Sequence, residues 1–298
     1  MNLLLGHPED PCCAGVRARL EDHGLPVRIV AAPLAPPAKF TWRLNASGLA
    51  SSLYPDTPDT EINGVLVRDT GWLEPDGWDA ADHAYMQAEL RAVTLAWLAG
   101  LACPVINRPD AALWYRPDAS LLSWRRLLRR CGLPLPEVVV TSDPAEARAF
   151  RHRLAKGGVP GAVYTPLTGP PAGYLLADNE AWERLAKLQV RAPVCLTEPH
   201  GAAALACIVG NAVIWDRAPP PEAVALEPAL LRFTTAAHLS FVEIALAPVR
   251  RGLAVVLVNT LPRLEHFALP ARDGIFDALV TLLTAENAAV APAAAVLS

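Results

Sequence analysis

Apolar residues recur along the chain with two periods, near 2 and near 3.6, and each change of period marks a new element. Leu3 to Gly6 is a short apolar run, Ala14 to His23 carries Val16 and Leu20 at helical spacing before the stop Gly24, and Val27 to Ala31 is a second run. This predicts strand, helix, strand, and a helical crossover of that length makes the two strands parallel. A proline-rich connector, AAPLAPPAK, leads through an irregular stretch to the strand Gly64 to Arg68. Trp78 to Gly100 predicts a long helix with Ala81, Tyr85, Ala88, Ala92, Leu95 and Leu98 on one side. After the short strand in CPVINRP, a helix from Pro117 to Gly132 precedes the strand Glu137 to Val140. Ser142-Asp143-Pro144 then opens another helix, the aspartate as cap and the proline in the first turn. The strand GAVYT, a helix from Asn179 to Gln189 and strands at Val194 to Glu198, Ala203 to Val209 and Ala212 to Trp215 follow, the last two joined by the hairpin turn Gly210-Asn211. The runs Phe241 to Ala247 and Leu253 to Val258 flank Pro-Val-Arg-Arg-Gly, which predicts a terminal antiparallel hairpin.

That hairpin carries the first candidate chemistry. Glu243 lies in its first arm and Asn259 closes the second, and a carboxylate and an amide on rigid neighbouring strands are the oxygen ligands that Mg²⁺ prefers. The plainer reading makes Glu243 a solvated strand residue and Asn259 an ordinary turn former. A second candidate is the helix before Gly132. Arg125, Arg126, Arg129 and Arg130 fall at i, i+1, i+4 and i+5, two adjacent stripes on one face. They form either a solvated surface or a docking ridge for an acidic peptide or partner.

Composition narrows the classes. With 52% hydrophobic and 19% charged residues in 298, the chain is a compact protein large enough for two or three subdomains. A net charge of −4 without a basic block excludes bulk nucleic-acid binding. No apolar run reaches the roughly 20 residues of a bilayer span, and MNLLLGHPEDP is too acidic and proline-broken for a signal peptide, so a cytoplasmic protein without a membrane partner is expected. The six cysteines form no C-x-x-C pair and suit free thiols; Cys12 and Cys13 open a predicted helix whose N-terminus can lower a thiol pKa, and the plainer reading makes them buried, idle thiols. The first strand-helix turn lacks G-x-G-x-x-G, no G-x-S-x-G occurs, and the seven histidines make no H-x-x-x-H pair. The loop PLTGPPAG is a poor phosphate cradle, because its prolines donate no N–H. His266 and Arg263, beside Asn259, are either ligands of an anion or exposed turn residues.

The ordered phrases CPVINRP, GLPLPEVVVTSDPAEARAF, GAVYTPLTG, APVCLTEPHGAAALACIVGNAVI and the terminal hairpin with VNTLP resemble an ATP-grasp ligase, in the glutathione-synthetase-like branch that modifies ribosomally made peptides. The resemblance is strongest from Gly64 onward. It implies an α/β fold, α+β in its C-terminal half, with an N-terminal parallel βαβ domain and two β-rich lobes enclosing a cleft. The expected boundaries are 1–106 for the N-terminal domain, 107–190 and 191–285 for the two ATP-grasp subdomains, and 286–298 for an Ala-rich tail.

Carried residue by residue, the family's pattern is broken. Its first nucleotide-binding lysine falls near Leu121 and its second on Thr165; its G-x-D-x-R acid and arginine fall on Ala203 and Leu205; and one metal-binding glutamate falls on Leu257. Glu243 and Asn259 remain as a remnant metal pair, with Glu198 one position from the acid that would hold the adenosine end. Since phosphoryl transfer depends on cations that neutralise a polyanionic nucleotide, these losses point to a catalytically silent relative with no bound cofactor. Its partner would be a peptide or a second enzyme of a peptide-modifying pathway. The alternative is an active carboxylate-amine ligase using ATP and Mg²⁺, with cations relocated to Arg116, Arg125, Arg191, Arg232 or Arg251. A further alternative pairs the weakly charged C-terminal surface with a second copy as a homodimer.

Overall fold

The computed structural model describes residues 1–31, 41–44, 50–53, 61–68, 73–75, 77–108, 121–159, 161–167 and 173–285. They divide into two units, the first drawn from Met1–Arg116, His238–Phe241 and Arg263–Ser298, the second from Pro117–Ala237 and Val242–Pro262.

The first unit is built on the expected parallel sheet. Strands β1 (Asn2–Leu5), β2 (Val27–Val30), β5 (Gly64–Val67) and β6 (Val105–Ile106) pair in the order β2-β1-β5-β6, every pair parallel. Strands β3 (Thr41–Leu44) and β4 (Ala50–Leu53) form a separate antiparallel pair. Helix α1 (Pro11–Asp22) starts at Asp10, whose carboxylate accepts the Cys13 amide at 2.9 Å. It packs against the C-terminal helix, Leu269–Thr284 (α8 below), and the close approach needs a glycine, because a Cβ on Gly15 would overlap the Phe276 ring. Leu3, Leu5, Val65, Trp97, Leu98 and Val105 form the core.

Helix α2 (Ala80–Gly100) appears where periodicity placed it, but turned about its axis. Its buried positions are Gln87, Thr94, Trp97 and Leu98, while Tyr85 is 63% exposed. Alanines define a face only weakly, since burying one gains little. Trp97 has by far the largest apolar area to remove from water and sets the rotation. Gln87 is buried because its Oε1 accepts the Leu73 amide at 2.7 Å.

The second unit holds two four-stranded sheets. In the first, β7 (Val138–Thr141), β8 (Ala162–Tyr164), β9 (Tyr174–Leu176) and β10 (Val194–Thr197) run β7-β10-β8-β9, all antiparallel. It packs on α4 (Pro144–Lys156) and α5 (Asn179–Gln189) through Phe150, Leu154, Trp182, Leu185 and Leu196. Helix α3 (Leu121–Arg130) precedes it; residues 117–120 of the expected helix lie outside the described residues. The second sheet, in order β12-β11-β13-β14, comprises β11 (Ala204–Val209), β12 (Ala212–Trp215), β13 (Phe241–Val249) and β14 (Gly252–Asn259). Gly210 takes the left-handed φ of 56° in the β11-β12 turn. Between β12 and β13 lie the short α6 (Pro221–Val224) and α7 (Glu227–Ala236), and α8 (Leu269–Thr284) closes the described chain, the tail 286–298 lying outside it. No helix among the described residues is long and apolar enough to cross a membrane.

Candidate functional site

The terminal hairpin places its two polar residues opposite each other. Glu243 on β13 pairs in register with Asn259 on β14, and Ala245 with Leu257. The register then shifts so that Leu246 faces Val255, leaving Val256 as the extra residue of a bulge. Because strand side chains alternate, Glu243, Asn259 and Leu257 share one face. Glu243 is fully buried, so the reading of it as a solvated strand residue fails. Its Oε2 accepts the Asn259 Nδ2–H at 2.9 Å, while Asn259 Oδ1 accepts the Leu261 amide at 3.0 Å. The amide oxygen and a carboxylate oxygen that a metal ion would claim are thus engaged within the protein. Among the described residues no group of three or more His, Cys, Asp and Glu side chains could hold a metal ion.

The positions where the resemblance places the lost lysine, acid, arginine and metal glutamate carry no charge. Thr165 follows β8, its amide bonded to the Cys195 carbonyl at 3.0 Å and its hydroxyl 3.4 Å from that of Thr197. Leu205 on β11 and Leu257 on β14 are half-buried hydrocarbon. A triphosphate beside Thr165, Ala203, Leu205 and Leu257 would meet no ammonium or guanidinium from these positions, and a buried phosphate without such partners is strongly disfavoured. These four positions therefore offer Mg-ATP no cation. Of the cations offered as replacements, Arg125 and Arg232 donate to the backbone carbonyls of Pro136 and Cys131, at 2.9 and 3.0 Å. Arg191 and Arg251 are exposed in turns, and Arg116 lies outside the described residues.

Glu198 follows β10 and is 3% exposed. It extends the ladder by one residue, its amide donating to the Glu137 carbonyl at 3.1 Å and its Oε1 accepting the Glu137 amide at 2.8 Å. Its Oε2 is buried without a hydrogen-bond partner. The Glu137 carboxylate is held by Arg250 from the β13-β14 turn at 2.9 Å and by Arg153 of α4 at 3.4 Å.

On α3 the four arginines do converge. They line a solvent-open pocket of about 510 Å³. Arg126, Arg129 and Arg130 are exposed, and among the described residues no ion pair reaches any of the four. Burial first, then the neighbouring charge of Arg129, draws the Arg125 pKa below its ordinary value.

In the first unit the two cysteines at the start of α1 are the buried thiols of the plainer reading. Cys12 and Cys13 are fully buried, and burial pushes the Cys12 thiol up to about 12 and the Cys13 thiol upward as well, so the helix N-terminus does not activate them. The α1 amides are taken by Asp10, which also pairs with Arg68 at 3.2 Å. Burial alone would raise the Asp10 pKa; the Arg68 charge and hydrogen bond and the Cys13 and Cys12 amides outweigh it and leave the pKa lowered. Sequence reasoning missed Asn107 and Arg108. Asn107 bonds Ser240 and Phe241, with its Oδ1 2.7 Å from the Phe241 amide, and Arg108 donates to the carbonyls of Leu98, Ala99, Leu101 and Cys103. The only signal was a polar pair directly after a short strand.

No protein-family model and no curated protein matches this sequence. Solved structures do match in fold. The macrocyclase MdnC bound with precursor peptide MdnA, from Microcystis aeruginosa MRC, superposes with a TM-score of 0.76 at 16% identity over 95% of this chain and 99% of that one. The ATP-grasp ligase PsnB complexed with a minimal precursor gives 0.74 at 18% identity, over 94% and 98%. A RiPP-associated ATP-grasp ligase of Chryseobacterium gregarium, in complex with ADP and a leader and core peptide, gives 0.72 at 15%, over 95% and 96%. The chain has the ATP-grasp fold across nearly its whole length.

Proposed function

We propose that this chain is a peptide- or partner-binding subunit of a peptide-modification pathway that keeps the ATP-grasp architecture without transferring phosphate from ATP. The pathway is inferred from MdnC, PsnB and the Chryseobacterium ligase, all bound to precursor or leader peptides. The silence is inferred from one observation: Thr165, Ala203, Leu205 and Leu257 are uncharged, while the polar pair left behind, Glu243 and Asn259, is hydrogen-bonded to itself. Losing one transition-state cation costs on the order of 10³-fold in phosphoryl transfer, and losing several leaves little even when their effects do not add.

Calorimetry of the full chain with Mg-ATP tests this reading, which expects no binding heat up to about millimolar nucleotide. A 1:1 isotherm in the micromolar range overturns it, as does peptide-dependent release of ADP. One observation favours the alternative, an active carboxylate-amine ligase. The unpartnered Glu198 Oε2 is a buried acceptor that the exocyclic amine of a purine would satisfy, relieving about 1–3 kcal/mol of desolvation cost. If that is its role, Glu198→Gln weakens nucleotide binding in the same titration.

A further inference from the structure

Helix α3 contains no acidic residue, so its arginines have no i,i+4 partner within the helix. The helix dipole accounts for Arg129 and Arg130 in the last turn. It does not account for Arg125 and Arg126, one turn earlier, nor for a pocket of about 510 Å³ lined by all four. A chain with a net charge of −4 has concentrated like charge here, at a cost in mutual repulsion, and among the described residues supplies no carboxylate to offset it.

Spacing indicates what would. Arg125 and Arg129, like Arg126 and Arg130, are separated by four residues, a rise of about 6 Å. Alternate side chains of an extended peptide repeat at about 6.6 Å. Two carboxylates at i and i+2 can therefore each meet a pair of guanidinium groups, whose planar forks suit carboxylate bidentately. A single phosphate is too small to engage both turns, and four cations cover too few phosphates to hold a nucleic acid on an acidic protein.

We infer that the α3 pocket is the docking site of an acidic peptide segment in extended form, carrying carboxylates at alternate positions. This rests on the peptide-binding part of the proposed function and names the chemistry of what is bound. The test is fluorescence anisotropy of the full chain with a labelled synthetic peptide bearing alternating glutamates, against the same peptide with glutamines. Glutamate should bind about tenfold tighter, a preference that shrinks as salt rises from about 50 to about 300 mM. The double variant Arg126→Gln, Arg130→Gln should lose most of the preference while its thermal midpoint stays put, since both side chains are exposed and no hydrogen bond reaches them from the described residues. Equal binding of the two peptides to the unaltered protein overturns the inference, whatever the variant does. So does displacement of the glutamate peptide by inorganic tripolyphosphate at equal concentration, which would make the pocket a polyphosphate site. The silent-cleft reading fails elsewhere, on an Mg-ATP isotherm that persists in the double variant.

Discussion

Replacing Asn259 by alanine separates a structural pair from a metal site. Glu243 is fully buried, and its Oε2 receives a charge-assisted hydrogen bond from Asn259 at 2.9 Å. Such bonds contribute roughly 1.5–3 kcal/mol, and a buried carboxylate that loses a donor keeps its desolvation cost. The Leu261 amide loses its acceptor too, but it is exposed and water replaces it at little cost. We therefore expect Asn259→Ala to destabilise the β13-β14 hairpin by about 2–3 kcal/mol. Glu243→Gln keeps an acceptor facing Asn259 and should cost less, and the cycle through the double variant should give a coupling of about 1 kcal/mol or more. Hydrogen exchange at the β13 and β14 amides is the appropriate readout, because two compact units need not unfold as one. The same samples are read with about 10 mM Mg²⁺. A metal site with a Kd of about 0.1 mM would gain about 2.7 kcal/mol of protection, and none is expected. Magnesium-dependent protection in the unaltered protein that vanishes in Asn259→Ala would refute the reasoning.

Other perturbations test the first unit. Asp10→Asn keeps a cap on α1 but takes the opposing charge away from Arg68, whose side chain is only 10% exposed, and should cost about 3 kcal/mol at pH 7 by thermal unfolding. The Asp10 pKa is lowered in the fold, so its contribution is complete above the ordinary carboxylate value near ~3.9 and disappears as pH falls through the lower folded value; the gap between wild type and Asp10→Asn should close only in acid. Gly15→Ala opposes two effects, a helix-propensity gain of about 1 kcal/mol and an overlap with Phe276 costing about 1–3 kcal/mol or more. The overlap should win, lowering the midpoint, and Phe276→Leu in the same chain should restore part of it.

Elements whose signals are local were legible in the sequence. Asp143 before Pro144, Gly210 at the β11-β12 turn and the β-branched arms of the terminal hairpin each act through their own backbone, and each element appears where the pattern put it. What escaped depends on partners far along the chain. The face of α2 is set by Trp97 against a sheet whose strands come from both sides of the helix, which Ala spacing does not encode. Cys12 and Cys13 were legible as idle thiols, but the cause was not: burial outweighs a helix dipole whose first-turn amides Asp10 already occupies. Glu243 read as solvated because a lone carboxylate in a strand usually is. The register that sets Asn259 opposite it helps make burial tolerable. The arginine ridge was legible because a helical face is a local property. The pocket in front of it was not, because it depends on what packs around α3.

The leucine at 257 is coherent with the Glu243–Asn259 pair. Leu257 faces Ala245, so a carboxylate there would lie diagonal to Glu243, about 7 Å away on the same face. At an effective dielectric constant near ~20, two such charges repel by about 2 kcal/mol, a cost that a bridging cation removes and nothing else in the hairpin does. Asn259 can satisfy one carboxylate through its Nδ2–H, but its Oδ1 is committed to Leu261 and it has nothing comparable for a second. A hairpin without a metal ion is therefore better off with one buried acid than two, and leucine at 257 adds apolar burial in place of repulsion. On this argument the hydrocarbon at 257 and the hydrogen bond between Glu243 and Asn259 belong together, as the form a hairpin takes when a strand pair is held in register without an ion.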